Sequence, residues 1–355
     1  MNMLSNWIMA IRTGNIEKGA RLDLVSKWLI ITRALIFSIT LLSALIGGLL
    51  SALDGYFNWG YLLLAALGLT LAHAANNMVN DYFDYTSGVD TADYPRAKYS
   101  PHPILSGMVT ESKLIFAIFC CLFLDFLIAV YLTWARGWII MALAVVGLGT
   151  SVFYVAPPLR LKKNGLGELA IFLIWGPLMV GGTYFAVSGV LSWKPFLASI
   201  PYGLAVTAVL MGKHLDKAEK DREKKVRTLP VLLGDQGARL VTQVMVISFY
   251  LTIVFLVAVK VLPVLSLIAL LTLPRGIRFV SVLSGTIPLT PIAAFKIAED
   301  VIPRDLKEKF NPEDPAQEFP LWPLWYVIWA VWWTRVAGAY FLVGLLAQLA
   351  LKKFL

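Results

Sequence analysis

Residues 59–93 read Trp59-Gly-Tyr-Leu-Leu-Leu-Ala-Ala-Leu-Gly-Leu-Thr-Leu-Ala-His73-Ala-Ala-Asn76-Asn77-Met-Val-Asn80-Asp81-Tyr-Phe-Asp84-Tyr-Thr-Ser-Gly88-Val-Asp90-Thr-Ala-Asp93. Residues 59–79 carry no charged side chain. As a helix rising about 1.5 Å per residue they reach about 30 Å, the hydrocarbon thickness of a bilayer. At the end of that run, Asn77, Asn80, Asp81 and Asp84 recur at spacings of three and four, so they share one helical face. Asn76 and His73 carry polarity one turn deeper. A carboxylate at membrane depth costs on the order of 3 kcal/mol and is kept where it faces a cavity. Hard carboxylate and amide oxygens, with no Cys and no clustered His, suit Mg2+ and not zinc. An Mg2+ held by few protein oxygens completes its shell with phosphate oxygens. The stretch therefore reads as a membrane span that delivers a metal- and phosphate-binding face to one side.

The rest of the chain agrees. Of 355 residues, 58% are hydrophobic and 15% charged, with a mean hydropathy of +0.73; soluble domains carry about 25% charged residues. Apolar runs near 28–50, 59–79, 113–133, 137–156, 168–189, 195–212, 239–260, 262–274 and 335–351 predict nine spans and no soluble domain. Residues 322–334 could extend the last span, but their many Trp residues predict a helix lying at the interface. With these bounds, 24 Lys or Arg fall on one side and 5 on the other. The positive-inside rule then places the N-terminus in the cytoplasm and the C-terminus outside, in the cell membrane. The expected organisation is a cytoplasmic segment over 1–27, containing Arg12, Lys18, Arg21 and Lys27 and no cleavable signal peptide, followed by one transmembrane domain over 28–355. Cytoplasmic polar loops are expected over 80–112, 213–238 and 275–334, the last with a connecting segment at 299–320. The net charge of +9 is accounted for by loops that meet anionic headgroups, so the lipid bilayer and not nucleic acid is the expected partner. Cys120 and Cys121 read as apolar filler.

A second acidic segment follows the sixth span: Lys213-His214-Leu-Asp216-Lys217-Ala-Glu219-Lys220-Asp221-Arg222-Glu223-Lys224-Lys225-Val-Arg227-Thr228-Leu-Pro230. It offers carboxylates for a second cation and Lys/Arg donors for phosphate. Alone it would read as a solvated loop; an even number of spans from the first segment puts both on one face, where they can converge. Between them lies Ser151-Val-Phe-Tyr154-Val-Ala-Pro157-Pro158-Leu-Arg160-Leu-Lys162-Lys163-Asn164-Gly165, whose cations serve either topology or phosphate binding. Three isolated charges have bland readings. Arg33 and Arg335 can snorkel to the cytoplasmic face, and Asp125 in the third span either lines the cavity or pairs structurally.

These residues resemble the UbiA superfamily of intramembrane aromatic prenyltransferases over nearly the whole chain. Asn80-Asp81-Tyr-Phe-Asp84 with Gly88 and Asp90 is similar to its first Asp-rich motif, and the step from Asp84 to Asp90 resembles the branch that prenylates dihydroxynaphthoate for menaquinone. Pro103-Ile-Leu-Ser106-Gly107 is similar to the short stretch after that motif. Gly165-Leu-Gly-Glu168 through Gly176-Pro177 and Gly182-Thr183-Tyr184 resembles the fifth span of that branch, and Asp221-Arg222 with Thr228-Leu229 the end of the second motif. Tyr154-Val-Ala-Pro157-Pro158-Leu-Arg160-Leu-Lys162 and Leu229-Pro230-Val-Leu-Leu-Gly234 are also similar to chlorophyll synthases of the superfamily.

The resemblance implies an all-α polytopic membrane fold of nine helices around a central cavity. It implies Mg2+-dependent transfer of a polyprenyl group from polyprenyl diphosphate to an aromatic acceptor, with 1,4-dihydroxy-2-naphthoate the leading acceptor. A chlorin or other lipid acceptor, or a non-catalytic homologue that binds a lipid or a partner, are the alternatives. The catalytic carboxylates it implies are Asp84, Asp90 and Asp221. Asn80, Asp84 and Asp90 would hold the first metal with Asn77 and Asp81 beside them, and Asp221 the second with Asp216. Arg160, Lys162, Lys217 and Tyr154 would meet the diphosphate. The chain departs from the family at three places. Lys217 stands where the second motif has an Asp, Lys213 and His214 stand where the branch has Asn, and His102 stands where relatives have Arg. Asp216 lies five residues before Asp221, a rotation of about 140° on a regular helix, so the two share a face only if the helix is interrupted.

Overall fold

The computed structural model describes residues 3–16, 21–96, 100–288, 290–299, 301–302 and 324–354. Lys18, and nearly all of the connecting segment expected at 299–320, lie outside the described residues. Two short helices, α1 (Met3–Thr13) and α2 (Leu24–Ile31), precede the bundle. Arg33 then takes a left-handed conformation, φ 56°, and the first span, α3, runs Ala34–Leu53. That break falls inside the run expected at 28–50. It exists because a guanidinium cannot continue into lipid: the turn at Arg33 swings it inward to Asp81.

The stretch at 59–93 folds largely as read. Helix α4 runs Trp59–Thr86, started by the Asn58 side chain, which accepts from Tyr61 N at 3.1 Å. Next come α5 (Glu111–Arg136) and the 15-residue α6 (Ile139–Phe153). Helix α7 (Gly167–Ser188) widens into a π turn over Ile174–Gly181, where Pro177 has no N–H to give a regular ladder. Then follow α8 (Lys194–Leu215), the short α9 (Ala218–Glu223), α10 (Leu229–Ala258), α11 (Val264–Ser284), α12 (Pro291–Ala298) and α13 (Tyr326–Phe354). Among the described residues, eight helices are long and apolar enough to cross a bilayer. Helix α6 takes the place of the remaining expected span at about 22 Å, short of the hydrocarbon core.

Helices α7 and α8 lie innermost, and α5 lies outermost. Helix α5 exposes Phe116, Phe119, Phe123 and Trp134, a surface that only lipid solvates. Inside, small residues let backbones touch. A Cβ at Gly47 of α3 would sit 2.4 Å from the Val180 carbonyl oxygen of α7.

Two expectations are corrected at the C-terminal end. The Trp-rich stretch is not interfacial. Helix α13 starts at Tyr326 and not near 335, and Trp325, Trp329 and Trp333 are buried. Trp333 packs edge-on to Phe249 at 5.4 Å and donates its ring N–H to the Tyr250 hydroxyl at 2.9 Å, so the indole's polar atom is satisfied by protein and not by headgroups. The span expected at 262–274 continues to Ser284, within the stretch read as loop. Its Arg275 and Arg278 lie over the Trp332 and Trp329 rings, at 4.5 and 5.4 Å, which lets charge ride on a helix end.

Candidate functional site

Three polar segments converge at one end of the bundle, as their shared side predicted. Lys163 Nζ reaches Ser87 Oγ at 3.1 Å, Lys224 Nζ reaches the Gly88 carbonyl at 3.2 Å, and Arg227 N donates to the Lys163 carbonyl at 3.3 Å. Gly88, at φ 69°, ends α4 in a left-handed turn. Both Val89 N (2.8 Å) and Asp90 N (3.0 Å) then bond back to the Asp84 carbonyl, which brings Asp90 beside Asp84. The six-residue step between the two acids is therefore a helix cap.

Asp84, Asp90 and Asp221 are all buried, and each keeps one buried oxygen with no hydrogen-bond partner: Asp84 Oδ1, Asp90 Oδ2 and Asp221 Oδ2. An orphaned buried oxygen costs about 1–3 kcal/mol, more when charged, so each of the three is a candidate to meet a cation. Lys162 Nζ donates to Asp84 Oδ2 at 2.5 Å. Tyr94 donates its hydroxyl to Asp221 Oδ1, and Lys217 Nζ donates to the Tyr94 oxygen at 2.8 Å while standing 3.8 Å from Asp221 Oδ1. Asp90 Oδ2 lies 3.4 Å from His102 Nε2, too far for a good bond, while His102 Nδ1 accepts from Ile104 N and Leu105 N at 3.3 Å each. Asn80, one turn before Asp84, is buried on the same face. Hard oxygens in this number fit Mg2+.

The charges tune one another. Burial pulls the Lys162 ammonium down, but Asp84, Asp90 and Asp221 more than offset it and hold it above the ordinary lysine value. Burial likewise pushes the Asp90 carboxyl up, but His102 and the Lys162 charge more than offset it and keep it below the usual range. Burial, with the Asp221 carboxylate, drives the Tyr94 phenol far up, so it remains a donor. Lys217 is lowered by burial, partly countered by Asp221.

Other expected ligands have different work. Asp81 is not free for a metal. Arg96 grips it with two bonds of 3.1 and 3.0 Å, and Arg33 bonds it from the α2–α3 break. It nonetheless lies in a group with Asp90 and His102 whose potential ligand atoms are all within 4.8 Å of one another. Asn77 gives its amide nitrogen to the Thr32 carbonyl at 2.9 Å, pinning the same break. Asp216 is a helix cap and not a metal ligand. Its Oδ1 accepts from Trp325 N (3.0 Å) and Tyr326 N (2.8 Å), and its Oδ2 from Val327 N (2.9 Å), the first amides of α13. The helix is interrupted between α8 and α9, as sharing a face would require, but the interruption turns Asp216 away from Asp221. Arg160, itself left-handed at φ 43°, is exposed, while Lys162 two residues on is buried among the acids. Tyr154 is buried, with its hydroxyl 3.4 Å from where a Gly167 Cβ would stand. Arg335 does not snorkel; it donates to the Leu35 carbonyl at 2.7 Å.

Sequence reasoning passed over Tyr94, Arg96 and Glu168. Glu168 Oε1 lies 2.7 Å from His214 Nδ1 and accepts from Leu229 N at 3.3 Å, both deep in the bundle. The only signal for Tyr94 and Arg96 was their position just past Asp93. An apolar cavity of about 160 Å³ lies between α4, α5, α6 and α7; its lining on α4 ends at Asn76, one turn short of Asn80, and includes none of the clustered acids or lysines. It is lined by Leu69, Ile128, Leu143 and Trp175, with Asn76 and Ser151 bonded at 2.9 Å on its wall. Asp125 also lines it.

Known proteins are similar to this chain in sequence and in fold. The chain is similar to 2-carboxy-1,4-naphthoquinone phytyltransferase of Synechocystis sp., at 23% identity over 71% of this chain and 81% of that protein. It is similar to 1,4-dihydroxy-2-naphthoate octaprenyltransferase of Bacillus subtilis, at 24% identity over 62% and 71%. Among solved structures it shares its fold with a UbiA homolog from Aeropyrum pernix K1 (TM-score 0.54, 18% identity, covering 86% of this chain and 97% of that one). A UbiA homolog from Archaeoglobus fulgidus bound to GPP and Mg2+ matches likewise (TM-score 0.52, 14% identity, 91% and 99%). Residues 40–294, most of the chain and every carboxylate of the cluster, match the UbiA prenyltransferase family, and the chain belongs to that family.

Proposed function

We propose that this protein transfers a polyprenyl group from polyprenyl diphosphate to 1,4-dihydroxy-2-naphthoate, an Mg2+-dependent step of menaquinone biosynthesis, with its polar cluster on the cytoplasmic side of the cell membrane. One observation carries the reading: the buried, unpartnered oxygens of Asp84, Asp90 and Asp221, set against the Lys162 and Lys217 ammonium groups. Mg2+ held by Asn80, Asp84, Asp90 and Asp221 would neutralise charge on the departing diphosphate. Lys162 and Lys217 present donors to the diphosphate oxygens, and Tyr94 orients the Asp221 carboxylate. The apolar walls exclude water that would quench an allylic cation, and Trp175 offers that cation a ring face. The naphthoate acceptor is supported by the Asp84–Asp90 step and by the two naphthoquinone-type relatives.

The test incubates detergent-purified protein with Mg2+, a polyprenyl diphosphate and 1,4-dihydroxy-2-naphthoate, and follows both diphosphate release and the prenylated product by mass. Turnover absent in an Asp84→Ala control is expected. Diphosphate release no greater than in that control would sink the proposal.

A further inference from the structure

The second Asp-rich segment does not present the carboxylate pair that a second divalent cation needs. Asp216 spends both oxygens on the first amides of α13. Lys217 stands one helical turn before Asp221, 3.8 Å from its Oδ1, so an ammonium occupies the approach that a paired carboxylate would flank.

We propose that this site works with one divalent cation, bound by Asn80, Asp84 and Asp90, and that Lys217 supplies against the diphosphate the positive charge a second cation would bring. The inference rests on the site being a diphosphate site.

The experiment counts bound Mn2+ on the full-length protein in detergent by electron paramagnetic resonance, titrating Mn2+ in the presence of saturating inorganic pyrophosphate. One Mn2+ per chain is expected. Lys217→Asp restores a carboxylate four residues before Asp221 and is expected to raise the count to two. With EDTA present, Lys217→Met is expected to weaken pyrophosphate binding at least tenfold, because it removes a donor that acts without metal. Two Mn2+ on the unaltered protein, or metal-free pyrophosphate binding unchanged in Lys217→Met, overturns the inference while leaving prenyl transfer standing. Failure of the unaltered protein to bind pyrophosphate at all overturns both.

Discussion

Replacing Asp216 separates a helix cap from a metal ligand. The Asp216 carboxylate accepts three amide bonds of 3.0, 2.8 and 2.9 Å at the start of α13. In Asp216→Ala those amides lose their acceptor where α8 and α13 are pressed together; a Cβ at Gly212 would lie 2.9 Å from the Tyr326 carbonyl, so the chains have little room to rearrange. Loss of an N-cap costs about 1–2 kcal/mol. Loss of an anion at a partly buried helix N-terminus adds up to about 2 kcal/mol. The expected destabilisation is therefore about 1–4 kcal/mol. At roughly 2 cal/mol/K per residue, a chain of this length has an unfolding entropy of about 0.7 kcal/mol/K, so the midpoint falls by about 1–6 °C. Unfolding in detergent can be followed through Cys120 and Cys121, free thiols part-buried in α5, with a thiol-reactive dye. Mn2+ affinity in the presence of pyrophosphate should stay within about twofold, since the cap touches no oxygen of the metal site. Asp216→Asn, which keeps an acceptor but not the charge, should fall between. A midpoint unchanged in Asp216→Ala together with Mn2+ affinity lowered tenfold or more would refute the assignment.

Three further outcomes are expected. Asp84→Ala removes an oxygen of the proposed metal site and takes the Asp84 partner from the buried Lys162 ammonium, so prenyl transfer should drop by about 10²–10³ in rate, read as diphosphate release. Asp81→Asn strands Arg33 and Arg96 as buried charges and should cost about 3–5 kcal/mol, seen as a lower unfolding midpoint and reduced yield of folded protein; unaltered stability with lost Mn2+ binding would make Asp81 a ligand instead. Arg160→Ala should change the Michaelis constant for polyprenyl diphosphate by no more than about threefold, whereas Lys162→Ala should raise it by tenfold or more, because only the second contacts the acids. The opposite ranking would restore Arg160 to the site.

Most of the fold, and half of the site, were legible in the order of residues. Apolar length alone marks a membrane span, because each crossing must satisfy its own backbone in hydrocarbon. A three-and-four spacing marks a shared face, so Asn80 and Asp84 could be read directly from residues 59–93, and the count of intervening spans brought the three polar segments to one end. Two kinds of statement could not be read this way. The Trp-rich stretch has the composition of an interfacial belt, yet Trp325, Trp329 and Trp333 are buried, Trp333 against Phe249, Tyr250 and Phe279 of distant helices. Asp81 and Asp216 have the same local chemistry as Asp84 and Asp90, yet one is held by arginines from two other segments and the other caps a helix starting at residue 326. Local sequence dictates which groups are polar and which way they point along their own helix. Which partner reaches them first depends on how distant helices meet, and for this protein that meeting divided the carboxylates into those that brace the fold and those left free for a cation.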